Sequence, residues 1–334
     1  MPGSTPSSPV VVLTGASSGI GRATAQRLAE RGADIVLAAR NAHTLRPVAD
    51  ECLSRGARVL VVPTDVSDAA AVSALAQAAI ERFGRIDVWI NNVGVGAVGL
   101  FDAVPLALHR RVIESNLIGH MNGAHAALAH FRERRRGTLI NMISLGGWIP
   151  SPYAAAYSAS KFGLRGFTES IRAEMSTLRD VHVCAVCPTF VDTPGFDHGA
   201  NRVGRRLSPP SMSLDPREVA QVIVGLIDAP RATVMVGSGA TPARMAHALA
   251  PELTGRMGRW AMEKALSRAG PGDEGNGNLF EPSSYTDIDG GHRRRATLPM
   301  GKLAVGAVVA LGLGLLASRA ARSARRGPGF ATGH

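Results

Sequence analysis

Cysteine is scarce in this chain, with three residues among 334. So few thiols exclude a disulfide scaffold and favour a reducing compartment. Cys184 and Cys187 have the C-x-x-C spacing of some redox and metal motifs, but they lie in "VHVCAVCP", a run that predicts a buried strand. Residues three apart on a strand point to opposite faces, so we expect two separate thiols in a core and no metal site.

Acidic residues are missing from 290–334. This region holds eight basic residues, namely Arg293, Arg294, Arg295, Lys302, Arg319, Arg322, Arg325 and Arg326. The rest of the chain has 29 of the 37 basic residues and all 26 acidic ones, so its formal charge is +3, compared with +11 for the whole chain. Nucleic-acid binding through the tail is one interpretation. The tail has little aromatic interleaving and adjoins an apolar run, so membrane association explains it better and no nucleic-acid partner is expected.

The first residues also lack the pattern of a secretory signal. The opening "MPGSTPSSP" has no charged region and no apolar stretch before the first predicted strand. We therefore expect the protein at the cytoplasmic face of a membrane, or otherwise in the cytoplasm.

Short apolar runs alternate with segments of helical spacing, such as 20–31 and 68–83. Nearly continuous apolar strands separated by helices indicate a parallel sheet covered on both faces. The sequence predicts a doubly wound, Rossmann-like α/β domain with a seven-stranded sheet. The seven predicted strands are "VVVLTG", "DIVLAAR", "RVLVVPTD", "IDVWINN", "GTLINMIS", "VHVCAVCP" and "ATVMVG".

The predicted organisation follows changes in composition along the chain. One or two helices are expected over 242–268, and a stretch rich in Gly, Pro, Ser and Asp resembles a linker. The predicted segments are a flexible N-terminus (1–8), a catalytic domain (9–240), a helical extension (241–269), a linker (270–300), an apolar membrane-associating helix (301–320) and a basic tail (321–334).

A glycine triplet joins the first predicted strand to a helix in "TGASSGIGRATAQRLAERG". Gly15 permits a tight turn, Gly19 a close approach to a pyrophosphate, and Gly21 close packing of helix on sheet. At the end of the second strand, an NAD enzyme usually carries an acidic residue, but this chain has Ala39 followed by Arg40. A guanidinium there suits a 2′-phosphate, which favours NADP(H) over NAD(H).

Five motifs together resemble the short-chain dehydrogenase/reductase family over about residues 8–240. They are "TGASSGIG", "NNVG" at 91–94, Asn116 in "ESNLIG", Ser144 in "NMISLGG" and "YSASK" at 157–161. The resemblance implies an enzyme that interconverts a carbonyl and a secondary alcohol. It implies cofactor contacts by Thr14, Gly15, Ser17, Ser18, Gly19, Ile20, Gly21, Arg40, Asp65, Val66, Asn92, Gly94, Tyr157, Lys161, Pro188 and Thr193.

The family's Y-x-x-x-K pattern fits Tyr157 with Lys161, and not Tyr153. Positions i and i+4 share a helix face, so we expect the ammonium to lower the pKa of the phenol and make it a usable acid/base. Tyr153 is predicted to be a wall of the substrate cleft. The resemblance implies that Ser144 binds the substrate oxygen and that Asn116 holds a water in the proton relay.

Two positions depart from the family's pattern. Val93 stands where the family has alanine, which should slightly crowd the end of the strand. Thr189 in "PTFVDT" replaces a glycine, which puts the nicotinamide contacts of Pro188 and Thr193 in question.

The sequence therefore predicts an NADP(H)-dependent oxidoreductase. The alternative from another class is a non-catalytic nucleotide-binding scaffold or sensor on the same fold, which the intact catalytic set disfavours. Residues 190–212 form a long loop that is expected to set substrate identity and to act as a lid. A solvated surface explains its basic residues better than an anionic substrate does. The family resemblance implies a homodimer or homotetramer.

Residues 303–318 are 16 uncharged residues, about 24 Å of helix. A membrane span usually needs about 20 residues, but the flanking Lys302 and Arg319 can snorkel. Small residues recur every four positions, a face suited to helix pairing in lipid. We expect membrane attachment, either as a tail anchor or as a shallow or re-entrant insertion, and hence a lipophilic substrate.

Overall fold

The structure, a computed structural model, describes residues 8–210 and 212–293. Seven parallel strands form the main sheet, and each coincides with one of the predicted runs, so the predicted fold class is confirmed. They are β1 (Val10–Thr14), β2 (Asp34–Ala39), β3 (Arg58–Pro63), β4 (Val88–Asn91), β6 (Arg136–Met142), β7 (Asp180–Pro188) and β9 (Thr233–Val236). A separate two-stranded sheet pairs β5 (Ala97–Val98) with β8 (Ala200–Asn201).

Helices connect these strands and cover both faces of the main sheet. They are α1 (Gly19–Glu30), α2 (Ala42–Ser54), α3 (Ala69–Phe83), α4 (Leu106–Ile113), α5 (Gly119–Arg134), α6 (Ala155–Glu174), α7 (Gly195–His198), α8 (Pro216–Asp228), α9 (Ala240–Leu249) and α10 (Pro251–Arg268). A π-helical turn (Glu114–Ile118) joins α4 to α5, and a 3₁₀ turn (Leu145–Gly147) follows β6.

The strand order is β3-β2-β1-β4-β6-β7-β9. The chain runs outward from β1 to β3 and then returns to place β4 on the other side of β1, where Val12 is in register with Val36 and with Trp89. Because all seven strands are parallel, their carboxyl ends meet at one edge. The reversal between β1 and β4 opens a crevice at that edge, the position at which open α/β sheets bind ligands.

The core consists of separate apolar clusters on the two faces of the sheet. Cys184 belongs to the cluster beneath α1, α2 and α8, whereas Cys187 packs with Ile143 and Leu164 under α6. Both thiols are free. The prediction that these cysteines do not meet is confirmed, since alternate strand positions face opposite layers.

The region after β9 differs in part from its prediction. Two helices, α9 and α10, occupy the predicted helical region, and α10 has no fully buried residue. Residues 270–293 lie within the predicted linker, yet they pack along the body, as the antiparallel bridge between Asn201 and Gly275 illustrates. Within 8–210 and 212–293, no helix is long and apolar enough to cross a membrane. The predicted apolar helix at 303–318 lies outside the described residues.

Candidate active site

The glycine loop after β1 is held by a contact between two backbone segments. Gly15 has φ +64°, in the left-handed region that favours glycine. A Cβ on Gly21 would lie 1.9 Å from the Gly15 carbonyl oxygen, so only glycine allows α1 to approach the loop this closely. The roles that the sequence predicted for these two glycines, a tight turn and close packing, match this geometry.

Asn92 ties the loop to the end of β4. Its Nδ2 donates to the Thr14 and Gly15 carbonyls at 3.3 and 3.1 Å, and its backbone N–H donates to Thr14 Oγ1 at 3.1 Å. The adjoining Gly94 has open space where a side chain would stand. The predicted residues Thr14, Gly15, Asn92 and Gly94 are thus neighbours at the crevice.

The N-terminus of α1 presents its first backbone N–H groups to the crevice. Ser17, Ser18 and Ile20 are half-buried there. Thr193, from the loop after β7, lies against Gly19, where a Cβ would be 3.2 Å from its side chain. The Gly19 N–H donates to the carbonyl of Asp287 at 2.9 Å. An oxygen acceptor therefore fits at this helix end, as the helix dipole favours.

Arg40 and Arg111 lie close together at the other end of the crevice. Burial and the neighbouring Arg111 lower the pKa of Arg40, and Asp65 opposes them. Arg111 donates to Asp65 Oδ2 and to Ser67 Oγ, each at 2.6 Å. Burial alone would raise the pKa of Asp65, but the hydrogen bonds from Arg111 and Ser67 outweigh it and hold that pKa low. The next residue, Val66, is buried.

Arg111 was missed by the sequence reasoning. It lies on α4, 46 positions from Asp65, and belongs to no recognisable motif. Only the fold brings these two residues together.

Tyr157, Lys161 and Ser144 meet at the carboxyl edge of β6. Tyr157 and Lys161 lie one turn apart on α6, with Lys161 Nζ 5.9 Å from the centre of the phenol ring. Ser144 and Tyr157 both lie against Gly146, where a Cβ would be 3.4 Å from Ser144 Oγ and 3.0 Å from the Tyr157 ring. Ser144 Oγ accepts from the Gly146 N–H at 3.0 Å. Ser144 has φ +136°, a strained value for a residue with a side chain, and such strain is concentrated at functional sites.

The structure changes the expected electrostatics of this pair. Lys161 is 2% exposed, and its Nζ donates to the Met142 carbonyl at 2.9 Å. Burial lowers the pKa of Lys161 to about 7, so its ammonium is only partly populated at neutral pH. Burial also raises the pKa of Tyr157, opposed by the interaction with Ser144. The pKa of Tyr157 is therefore raised rather than lowered as expected, because desolvation by burial is the largest influence on it.

Asn116 lies fully buried in the π-helical turn. Its Oδ1 accepts from the Val95 N–H at 2.8 Å, and its Nδ2 donates to the Val95 carbonyl at 2.9 Å and to Ser160 Oγ at 3.1 Å. The side chain thus holds the loop after β4 against α6. The predicted water in the proton relay is not tested by these contacts.

A buried polar chain fixes α6 to the sheet, and the sequence reasoning did not identify it. Trp89 Nε1 donates to Asn91 Oδ1 at 2.8 Å, and Asn91 Nδ2 donates to Asn141 Oδ1 at 3.0 Å. Asn141 Nδ2 then donates to Thr168 Oγ1 on α6 at 3.0 Å. Pairing buried amides across β4, β6 and α6 fixes the helix that carries Tyr157.

The departure at Thr189 is compensated locally. The Thr189 side chain lies against Gly237 at the end of β9, where a Cβ would be 2.6 Å from its Oγ1. A glycine at 237 thus makes room for a threonine at 189. Pro188 ends β7 beside this pair, and Val93 packs partly into the apolar core.

Tyr153 lines a pocket of about 470 Å³ together with Leu100, Phe101 and Arg259. Its hydroxyl donates to Glu263 of α10 at 3.4 Å. Tyr157 is not among the lining residues, so this pocket lies to one side of the phenol. The role of Tyr153 as a wall of the substrate cleft stays a prediction.

Comparison with known proteins identifies the family. The family model described as "short chain dehydrogenase" matches residues 9–201. The chain belongs to the short-chain dehydrogenase/reductase family. It is similar to the uncharacterized oxidoreductase YxnA of Bacillus subtilis (strain 168), with 35% identity over 291 residues, which cover 86% of this chain and 80% of that protein.

Solved structures give the same result. The alcohol dehydrogenase from Thermococcus sibiricus complexed with 5-hydroxy-NADP is 28% identical with a TM-score of 0.61, covering 68% of this chain and 95% of that one. A short-chain dehydrogenase/reductase from Burkholderia phymatum in complex with NAD is 27% identical with a TM-score of 0.63, covering 80% and 97%. This chain is therefore an oxidoreductase of that family.

The burial of Lys161 generates a pH-dependent prediction. Its pKa is about 7 in the fold and about 10.4 in an unfolded chain, so unfolding takes up a proton between these values. Raising the pH through this window therefore stabilises the wild type relative to a Lys161→Met variant. We expect the difference in free energy of unfolding to move by up to about 1.4 kcal/mol per pH unit.

Chemical denaturation of both proteins at several values between about pH 7 and pH 10 measures this difference. Lys264→Met, at an exposed lysine, is the matched control and should show no such trend. A difference between wild type and Lys161→Met that stays constant over the window would contradict the assignment.

Proposed function

We propose that this protein is an NADP(H)-dependent oxidoreductase that interconverts a carbonyl and a secondary alcohol. One observation carries the proposal: Ser144 and Tyr157 meet at the carboxyl edge of the sheet, beside a buried Lys161. The glycine loop, the N-terminus of α1 and Arg40 border the same crevice and fit an anionic dinucleotide. We assign Asn92, Gly94, Pro188 and Thr193 to the same cofactor site.

The dinucleotide, when bound, supplies or accepts the hydride. Tyr157 donates its phenolic proton to the carbonyl oxygen in reduction and takes it back in oxidation. Ser144 Oγ accepts from the Gly146 N–H and keeps a hydroxyl proton that it can donate to the substrate oxygen. The raised pKa of Tyr157 keeps the phenol protonated, as a proton donor must be. Lys161, whose Nζ donates to the Met142 carbonyl, would hold the ribose of the cofactor.

The preference for NADP(H) rests on positive charge at the adenosine end. Arg40 follows β2 where an acidic residue would bind the ribose hydroxyls in an NAD enzyme. Arg111 lies nearby and is paired with Asp65, so Arg40 is the guanidinium that we assign to a 2′-phosphate. The two similar structures contain an NADP derivative and NAD, respectively, so the family alone does not decide between them.

A lipophilic substrate is supported by the surface around Tyr153. Leu100 and Phe101 line the adjoining pocket and are 57% and 63% exposed. The Arg259 side chain reaches the same pocket. Apolar side chains at a pocket mouth favour a substrate with hydrocarbon surface.

Tyr157→Phe is the first test of this mechanism. The variant keeps the ring but has no transferable proton, so turnover should fall by at least about a hundredfold while NADPH still binds. Turnover is measured as the rate of NADPH oxidation with a panel of small and lipophilic ketones and aldehydes. Tyr153→Phe is the matched control and should keep most of the activity. Retained turnover in Tyr157→Phe would refute the role of Tyr157.

Arg40→Asp tests cofactor choice. It replaces attraction by repulsion at the 2′-phosphate, so the ratio of NADH to NADPH affinity should rise by at least about tenfold. Titration of each dinucleotide gives both dissociation constants, and their ratio cancels any effect common to the two. Arg46→Asp, at an exposed position of α2, is the control. An unchanged ratio would show that Arg40 does not bind the phosphate.

Membrane attachment through residues 303–318 is supported by the sequence pattern. A Leu311→Asp/Leu315→Asp double variant of the full chain places two charges in the apolar run, which should move the protein from the membrane pellet to the soluble fraction. Leu249→Asp, at a leucine that is 73% exposed, is the matched control. Equal partitioning of the double variant and the wild type in low and high salt would refute the attachment.

A further inference from the structure

Residues 278–293, here called the C-terminal strap, run along the same crevice as the proposed dinucleotide. The approach to the strap is fixed by paired hydrogen bonds between Asn201 and Gly275, each at 3.1 Å. The Asn278 N–H then donates to the His198 carbonyl at 2.8 Å, and the rings of Tyr285 and His198 lie 4.3 Å apart. The strap is therefore held as part of the folded body.

At the adenosine end, Arg40 is enclosed by strap carbonyls. Its Nη1 donates to Leu279 and Phe280 at 3.0 and 3.2 Å, and its Nη2 donates to Asn278 and Glu281. Arg111 Nε donates to the same Leu279 carbonyl at 2.9 Å. Both Nη groups of Arg40, the donors that a 2′-phosphate would need, are thus engaged.

At the middle of the crevice, the strap meets the N-terminus of α1. The Asp287 carbonyl accepts from the Gly19 N–H at 2.9 Å, and the Thr286 carbonyl accepts from Arg22 Nη1 at 2.5 Å. These carbonyls stand where the helix dipole favours a pyrophosphate oxygen.

At the end near Thr193, the strap is anchored by charge. The Arg293 guanidinium lies 3.3 Å from Asp192 and 2.8 Å from both Asp215 and Asp289. Arg217 donates to both oxygens of Asp289 at 2.9 Å. Asp289 thus joins the strap to α8 from within an ion-pair network.

Leu279 adds an apolar anchor near the catalytic residues. Its side chain is fully buried in a cluster that includes Val104, Leu108 and Ala156, and Tyr157 packs against this cluster. Burying a leucine side chain is a substantial stabilisation, larger than an exposed ion pair provides. The strap is thus held by apolar packing as well as by hydrogen bonds.

We propose that the C-terminal strap is an autoinhibitory element that competes with the dinucleotide for the crevice. The inference rests on the proposed cofactor site. The strap and the dinucleotide require the same donors, namely Arg40 and the Gly19 N–H, and these cannot serve both at once. Because the strap is covalently tethered, it competes at a high effective concentration. The apparent association constant for the dinucleotide is the intrinsic constant multiplied by the fraction of molecules in which the strap is released, so a firmly bound strap weakens binding.

Limited proteolysis of the wild-type full chain tests the competition directly. Chymotrypsin cleaves after large apolar and aromatic residues, and Phe280 and Tyr285 in the strap are 48% and 54% exposed. Cleavage of a hydrogen-bonded strap requires its release. Saturating NADPH should therefore accelerate cleavage at these two residues, read by mass spectrometry. Cleavage after Trp260 on α10, which is 61% exposed, is the internal reference.

A Leu279→Ala variant tests the same competition by binding. Loss of the buried side chain shifts the equilibrium toward the released strap, so NADPH should bind at least about tenfold more tightly, measured by titration calorimetry. Leu249→Ala, at an exposed leucine, is the matched control and should bind like the wild type. Asp289→Asn loosens the charged anchor instead and should change the affinity in the same direction.

The outcomes separate this inference from the cofactor assignment. Slower or unchanged strap cleavage with NADPH, or equal or weaker binding by both strap variants, would overturn the competition while leaving the cofactor site intact. If neither NADPH nor NADH binds the wild type or either strap variant, the competition and the cofactor assignment both fall.

Discussion

The functional edge of this fold depends on the approach of α1 to the loop after β1, where Gly21 lies directly on the Gly15 carbonyl. No side chain fits between them, so the helix axis is fixed against the strand and its N-terminus points into the crevice. Asn92 then bonds both loop carbonyls and brings the end of β4 to the same place. The position of the dipole, the loop and the neighbouring strand thus follows from one backbone contact.

The catalytic side is built on burial rather than on direct attraction. Burial lowers the pKa of Lys161 to about 7, and its Nζ donates to the Met142 carbonyl. The polar chain from Asn91 to Thr168 fixes α6 and therefore keeps this costly geometry in place. Interior polar groups that are paired in this way rigidify a site, whereas unpaired ones would destabilise it. The strained backbone of Ser144 beside the phenol is also typical of a preorganised site.

The sheet could be predicted from the sequence because a parallel sheet covered on both faces needs nearly continuous apolar strands. The Tyr157–Lys161 spacing and the glycine loop could be predicted because each follows a local geometric rule. Arg111 and the strap could not. Asp65, the partner of Arg111, is distant from it in sequence. The strap binds largely through backbone carbonyls, which every residue possesses. A composition rich in glycine and serine therefore indicates a linker even where the backbone has specific partners.

Donors that recognise oxygen do not distinguish its source. The planar guanidinium of Arg40 donates to peptide carbonyls of the strap and can equally be placed to donate to phosphate oxygens, and a helix N-terminus can do the same. A partly buried guanidinium without acceptors would be destabilising, so the strap carbonyls stabilise Arg40 in the structure described. If the strap competes as proposed, the cofactor affinity is a difference between two sets of bonds to the same donors. On the proposed competition, phosphates would displace the strap because their charge-assisted bonds are stronger than those of neutral carbonyls. The exchange of neutral strap carbonyls for charged phosphates on the same donors would therefore favour a phosphate-bearing ligand.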